Sequence, residues 1–469
     1  MLKYKVIFKY KNKNIMKIPF IKKQSLKYEI LAITILITIA WVYFEGWWDK
    51  SIFLLLAAIL WIYMAMNIWA NDVANNMWPA VWSKALTLTW AIIIAAIFEA
   101  SWAIIAWWDV VNTIKWWIID PSLISDPKIF ISIMMATLLW AALWINIATF
   151  FKAPVSATHS VIWWLVWAWI TAYWLSIVSW DKIWQIAASW VISPLMWWII
   201  AALLLLSIRK TILKKDDRSE AAKIWVPIYV WIMSWSFTTY LLLKWLKKIV
   251  VISPSLAILL WFTAAVIIYI SLRIYLQKHS SLLKNSKKFI NRLFNIPLIF
   301  SVALLSFAHW ANDVANAIWP LAAINDTIKN SISSWELNLS NVWIPFWIMF
   351  IWALWIVWWL SVFGSRLIKT VWNEITKLNQ IRAFSVALAA AITVIIASQL
   401  WLPVSSTHIA IGWVFGIGFT REYIKRIKWK DKNYIEKQMI MHIALAWLIT
   451  LPVSWVISAI VYLLIIKLV

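Results

Sequence analysis

Two seven-residue segments hold the residues in this chain best suited to chemistry. Trp69-Ala70-Asn71-Asp72-Val73-Ala74-Asn75 recurs as Trp310-Ala311-Asn312-Asp313-Val314-Ala315-Asn316, and both run on to a Trp-Pro pair, Trp78-Pro79 and Trp319-Pro320. Each stands at the end of an apolar run. A carboxylate between two amides at membrane depth is costly unless it has a partner, so two copies point to a polar site built by two halves of the chain. Asn71, Asp72, Asn75, Asn312, Asp313 and Asn316 supply hard oxygens suited to a small cation. Asp72 and Asp313 are candidate sodium ligands, or carriers of protons. The competing reading is that these residues only join helices through hydrogen bonds.

A second pair of segments follows in the same order. Pro154-Val155-Ser156-Ala157-Thr158-His159 recurs as Pro403-Val404-Ser405-Ser406-Thr407-His408. Asp72 lies 84 residues before Ser156, and Asp313 lies 92 before Ser405, so the chain contains an internal duplication. Proline cannot continue a helix from behind but suits its first turn. Ser156, Thr158, Ser405, Ser406 and Thr407 therefore sit where half-helices could begin. Such a start offers backbone N–H groups, a positive dipole end and hydroxyl donors, which together make an anion site. Two of them facing each other could hold one tetrahedral oxyanion, and broken helices at matching places in two repeats mark a transporter site. Glu99 either binds a cation or is satisfied within the bundle. His159 and His408 read first as structural hydrogen-bonding residues, and Lys84 as a loop lysine facing water.

The elements that must position these residues are membrane helices. The 469 residues are 64% hydrophobic, and apolar runs of about twenty residues, enough to cross a bilayer core, recur throughout. The fold class read from this is all-α, a polytopic, multi-pass membrane protein. There are no cysteines, which excludes disulfides and thiol chemistry. The net charge of +24 is gathered in patches, including nine lysines without an acid in residues 1–27. Cytoplasmic loops obeying the positive-inside bias explain those patches better than a nucleic-acid partner does.

In order, residues 1–27 form a lysine-rich tail and 28–48 an extra transmembrane helix. Residues 49–208 form the first repeat, 209–292 connecting helices and basic loops, and 293–469 the second repeat. About 12 transmembrane helices are expected, with broken or re-entrant helices at the site. The stretch from Trp78 to Ser83 is expected to be unwound, residues 325–341 to be a polar loop, and 209–223 and 273–292 to be basic loops.

Tryptophan usage is anomalous. The chain has 45 Trp and 5 Gly. Glycine normally makes about 7% of a protein and more of a membrane helix. Adding the two residues together gives about 11% of this chain, an ordinary glycine content for a transporter. The tryptophans also run through the spans in pairs such as Trp163-Trp164 and Trp197-Trp198, where packed helices need small residues. The pattern implies that most of them stand for glycines encoded by UGA and translated here as Trp.

The doubled Ala-Asn-Asp-Val-Ala-Asn and Pro-Val-Ser-x-Thr-His resemble the inorganic phosphate transporter family (PiT, sodium/phosphate symporters) over about residues 50–465. That family writes Gly where Trp69, Trp310, Trp78 and Trp319 stand. The resemblance implies two inverted repeats with phosphate held between them. Uptake is coupled to sodium, or to protons in some members, across the plasma membrane. It carries the ion-coupling role onto Asn71, Asp72, Asn75, Asn312, Asp313 and Asn316, with Glu99 where the family often has an acid. Phosphate contact falls to Ser156, Thr158, Ser405, Ser406 and Thr407. Ala157 replaces a usual hydroxyl residue, and Ala387 stands where some relatives carry a second acid. No cofactor is implied; the partners are phosphate, sodium or proton, and the lipid bilayer, and a homo-oligomer is compatible with the pattern.

A permease for sulfate or another oxyanion on the same fold is the nearest alternative. Phosphate at neutral pH carries protons that paired aspartates can accept, whereas sulfate does not. An intramembrane serine protease would need Gly-x-Ser-Gly, and even with Trp reread as Gly that pattern is absent, as is a Walker A loop. The reading is therefore a transporter and not an enzyme. A channel would lack the coupling that duplicated carboxylates suggest.

Overall fold

In a computed structural model the apolar runs fold as helices, the arrangement that satisfies backbone polar groups within one segment when no water is present. The structure describes residues 51–105, 126–150, 155–241, 254–334, 378–400 and 437–467, with scattered positions in 348–358 and 405–420. No strand occurs among the described residues. The tail 1–27 and the extra helix expected at 28–48 lie outside them.

Five helices of the first part are α1 (Ser51–Trp82), α2 (Leu88–Ile105), α3 (Pro127–Phe150), α4 (Ala157–Tyr173) and α5 (Trp180–Ile208). Then come α6 (Arg218–Leu241), α7 (Pro254–Lys278) and the short α8 (Lys287–Leu293). The last three are α9 (Asn295–Ser334), α10 (Gln380–Gln399) and α11 (Lys437–Ile465). Among the described residues, four segments are long and apolar enough to span a membrane: Pro127–Ala148, Trp180–Leu213, Leu259–Lys278 and Gln380–Ala397. Helices α8 and α9, bent by 40° at their junction, make a fifth if taken as one span.

Helix α9 is the hub. It packs on α1, α2, α3 and α10, so the helices carrying the two signatures lie side by side. Helix α3 lies against both α1 and α4, and α11 covers α3 and α4. Buried Leu54, Ile68, Ile145, Leu165, Leu298 and Leu388 belong to one continuous apolar core. Polar ties fix the register. Asn146 Nδ2 donates to Asn67 Oδ1 across α3 and α1 at 2.8 Å, and Ser458 Oγ donates to the Trp164 carbonyl across α11 and α4 at 2.8 Å. Gln380 Nε2 donates to the Ser83 carbonyl at 3.0 Å, holding the start of α10 against the turn after α1.

Four expectations about loops are corrected. The segment after the first signature is not unwound. Helix α1 runs through Pro79 to Trp82 and ends where Lys84 takes a left-handed φ of 62°, letting the Ala85 N–H reach the Ala80 carbonyl at 2.9 Å. Proline this close to a helix end removes one bond without forcing a break, and the left-handed residue terminates the helix. The expected loop 325–341 is helical as far as Ser334, where the described residues end: the buried apolar face of α9 (Leu321, Ala322, Ile324) extends into it at Ile328. That carries Asn325, Asp326 and Thr327 inside.

The expected loop 209–223 shrinks to a short turn between a π-helical segment, Arg209–Leu213, and α6. Asp217 caps α6: its Oδ1 accepts from the Ser219 hydroxyl at 2.7 Å, the Ser219 N–H at 2.9 Å and the Glu220 N–H at 3.0 Å. Those bonds, the Ser219 hydroxyl first, hold its carboxyl below the usual range. The expected loop 273–292 is likewise largely helical, split between the end of α7 and α8.

Candidate functional site

The best-defined part of the site is the start of α4. Helix α3 ends at Phe150 and α4 begins at Ala157, so the first Pro-Val-Ser segment lies at a break between two helices. Ser156 is the N-cap of α4, in an extended conformation with φ −88° and ψ 121°. Its Oγ accepts from the His159 N–H at 3.1 Å, and its carbonyl accepts from the Ser160 hydroxyl at 2.8 Å. A serine hydroxyl that accepts one bond still has a proton to donate. The amides of the opening turn have no carbonyl four residues back. Ser156, Thr158 and Ser160 are all buried, so this positive helix end faces protein interior and not bulk water. A helix does begin just after the first Pro-Val-Ser segment; Pro154 itself lies outside the described residues. Ser405, the matching residue of the second half, is also fully buried.

The spacing repeats across the halves. Phe150 ends α3 six residues before Ser156, and Gln399 ends α10 six residues before Ser405. Helices α3 and α10 therefore end at the same sequence distance from their Pro-Val-Ser serines, and both pack on α9.

The signatures are helical. Asn71, Asp72 and Asn75 lie on α1, and Asn312, Asp313 and Asn316 on α9; their side chains lie outside the described residues, as do Ser406 and Thr407. What the structure does bring together is their helices: α1 packs on α9, both pack on α3, and α3 packs on α4. Glu99, on α2, is fully buried, and its neighbour Phe98 meets Phe307 of α9 edge-on with ring centroids 6.5 Å apart. Ala157 is buried in the first turn of α4, and Ala387 is fully buried on α10. The His159 ring packs on the indole of Trp190, with centroids 3.5 Å apart.

Three residues escaped the sequence reading. Asn67 and Asn146 form the amide bridge described above, and Asn67 also donates to the Tyr63 carbonyl at 2.8 Å. Asn67 stands one helical turn before Asn71 and so fixes the signature helix against α3. Asn76, one residue past the first signature, is 1% exposed, and its amide nitrogen meets no acceptor among the described residues. Their signal was a lone amide within an apolar run, weaker than a repeated motif.

Ser156→Ala is expected to remove the cap, destabilise α4 by about 1 kcal/mol and raise the phosphate concentration for half-maximal uptake several-fold. Thermal unfolding and initial uptake rates separate the two effects. A lowered Tm with unchanged half-saturation would make Ser156 a cap and nothing more.

Comparison with known proteins adds to this geometry. A family model described as "Phosphate transporter family" matches residues 68–458. A protein of Helicobacter pylori (strain J99) named "Putative phosphate permease" is 48% identical over 377 residues, covering 80% of this chain and 70% of that one. One of the same description from Pyrococcus abyssi is 35% identical over 416 residues, covering 88% and 98%. A solved structure described as "The sodium-dependent phosphate transporter" superposes with a TM-score of 0.78 at 28% identity, covering 89% of this chain and 99% of that one.

Proposed function

This chain belongs to the phosphate transporter family, and from that premise we propose that it takes up inorganic phosphate by alternating access, driven by sodium or protons, across the plasma membrane. The observation that carries the reading is the buried N-terminus of α4, capped by Ser156, in the same helix cluster as both duplicated signatures. A helix end aimed into protein stabilises an oxyanion through its dipole and free amides, without a fixed arginine. Ser156 and Thr158 would meet phosphate from one half, and Ser405, Ser406 and Thr407 from the other. The carboxylates of Asp72 and Asp313, flanked by their asparagines, would take the cation beside it, with Glu99 as a further acid. The cation offsets the charge of the anion, so each favours the other's binding and the two move together. The structural neighbour is named for its dependence on sodium, which supports sodium over the proton. Phosphate changes sides without a covalent step.

The inverted arrangement of the halves belongs to the same proposal. The repeated motif order and the equal six-residue spacing from α3 and α10 support the duplication, and the resemblance to the family supplies the inversion. The test is uptake of labelled phosphate into proteoliposomes under an inward sodium gradient, with unlabelled sulfate as competitor. Phosphate uptake that collapses without sodium and resists excess sulfate is expected. Sulfate outcompeting phosphate would transfer the site to sulfate, and uptake indifferent to both sodium and pH gradients would remove the coupling.

Most tryptophans are, on this reading, glycines in the cell. Trp174 closes α4 with φ 69° and ψ −179°, a backbone region held almost only by glycine, at the position after a helix where glycine is most enriched. The indole nitrogens of Trp140, Trp144, Trp164, Trp167, Trp169 and Trp319 are buried with no hydrogen-bond partner among the described residues. Buried tryptophan normally finds one, as Trp197 does at the Val386 carbonyl, 3.0 Å away. The 3.5 Å between the rings of His159 and Trp190 is closer than the 4.5–7 Å at which aromatic pairs settle.

A further inference from the structure

A cavity of about 1860 Å³ opens between the α6–α7 hairpin and the body formed by α2 and α9. None of the signature or Pro-Val-Ser residues lines it. Its chemistry is divided. The inner walls are apolar, built from Val230, Met233 and Phe237 of α6, Leu272 of α7, and Phe300 and Leu304 of α9. The mouth is cationic: Lys84, Lys288 and Arg292 line it, and among the described residues no carboxylate does. Two amides complete the mouth. Asn291 and Asn295 line the cavity, and their buried side-chain carbonyl oxygens accept no hydrogen bond among the described residues. Lys288, Asn291, Arg292 and Asn295 recur at helical spacing across the α8–α9 corner, so they share one face.

Each feature narrows the occupant. A volume well above the roughly 300–1,000 Å³ of small-ligand pockets, with apolar walls, calls for acyl chains. Nine residues of helix separate Asn295 from Leu304, a rise of about 14 Å, close to half of a hydrocarbon core of about 30 Å. The cavity therefore reaches one leaflet deep. Its mouth lies at the end of the bundle where the turn at 214–218 meets Asn285: the Arg218 N–H donates to Asn285 Oδ1 at 3.1 Å and Asn285 Nδ2 donates to the Asp216 carbonyl at 2.8 Å. Arg209, Lys210, Lys214, Lys215 and Lys284 stand in or beside these segments and outnumber Asp216 and Asp217. By the positive-inside bias this end is cytoplasmic, where anionic lipids enrich the membrane surface. Three cations without a facing acid select a phosphate. They disfavour the ammonium of a zwitterionic headgroup. Orphaned carbonyl oxygens require a donor, which a hydroxylated headgroup provides.

We infer that this cavity binds an anionic phospholipid with a hydroxylated headgroup, of the phosphatidylglycerol class. Its phosphate sits among Lys84, Lys288 and Arg292, its headgroup hydroxyls donate to Asn291 and Asn295, and its acyl chains lie between α6, α7 and α9. The lipid fills the gap between the hairpin and the body, so it wedges the hairpin in place.

The experiment is native mass spectrometry of the full chain extracted with a mixture of phosphatidylglycerol, phosphatidylethanolamine and phosphatidylcholine. Selective retention of one phosphatidylglycerol is expected. K84Q/K288Q/R292Q should weaken it roughly 100-fold, about fivefold per cation. N291L/N295L should lower the retention of phosphatidylglycerol several-fold while keeping its advantage over phosphatidylethanolamine and phosphatidylcholine. Equal retention of the three lipids, or undiminished retention by the triple variant, overturns the inference. So does displacement of the lipid by millimolar inorganic phosphate, which would make the mouth a free-phosphate site. A second copy of the chain taking the lipid's place, seen as a lipid-free dimer, also overturns it. Phosphate uptake is not the readout, so failure here leaves the transport reading standing.

Discussion

Asp72→Asn or Asp313→Asn is expected to abolish cation-driven phosphate uptake while leaving the protein in the membrane. Each carboxylate stands between two asparagines on a helix, α1 or α9, and those helices pack against each other at the centre of the bundle. Aspartate and asparagine have nearly the same shape, so packing is retained and the charge alone is removed. A cation that relies on one carboxylate in a low-dielectric site loses roughly 3–5 kcal/mol when the opposite charge goes, or about 100-fold or more in affinity. Uptake should fall by at least that factor at ordinary sodium concentrations. The measurement is initial-rate uptake across a sodium titration, with surface expression as the control. Normal uptake in both variants would take the aspartates out of the mechanism and leave them as helix glue. If one variant transports without sodium dependence, that aspartate alone carries the coupling.

Reading UGA as glycine is expected to relieve strain in the bundle and restore transport. Peptide masses across residues 69–82 and 310–320, beside the codons of the gene, decide whether the cell inserts glycine or tryptophan. The consequence for stability is calculable in direction. Each buried indole N–H left without an acceptor costs about 1–3 kcal/mol, and six such groups occur among the described residues. A non-glycine residue in the backbone state of Trp174 adds about 1–3 kcal/mol. Against this, removing a buried tryptophan leaves a cavity worth about 3–5 kcal/mol if nothing moves. The glycine form therefore wins only when the helices close on one another, as glycine-rich membrane helices do.

Helices α4 and α11 are the place to look, since the Trp167 and Trp455 rings meet between them with centroids 5.4 Å apart. The glycine form should show a shorter α4–α11 distance by spin labelling, higher thermal stability and uptake that the tryptophan form lacks. Trp174→Gly alone, at an exposed position outside the packing, should stabilise the tryptophan form. Tryptophan in the peptide masses, together with full transport by the protein, would sink the recoding idea.

Gly412 and Gly416 show what this packing demands. A Cβ built on Gly412 would lie 2.8 Å from the Pro194 carbonyl oxygen, and one on Gly416 would lie 2.5 Å from the Trp198 ring. These two glycines stand where a neighbouring helix passes close by. They are the pattern that the restored residues should follow elsewhere.

The sequence by itself determined the duplication, the helical class, the family and the start of α4. All of these are local or repeated: an apolar run needs no partner to be recognised, and Pro-Val-Ser before a helix is a statement about one turn of backbone. Ser156 therefore caps α4 as its position implies. Tertiary structure decided what lies between the motifs. Proline and polarity suggested a break at Trp78–Ser83 and a loop at 325–341, yet α1 runs to Trp82 and α9 to Ser334. Helix ends are set by what packs alongside. A stripe of buried apolar side chains outweighs one lost backbone bond, and the left-handed turn at Lys84 ends α1 only after the proline has been passed. The same cause hid Asn67, Asn146 and Asn76, whose polarity acquires meaning only when another helix is placed against it. The basic mouth of the α6–α7 cavity also had to wait for the fold. It joins Lys84 to Lys288 and Arg292, some two hundred residues away, and only packing brings charges that far apart in sequence to one surface.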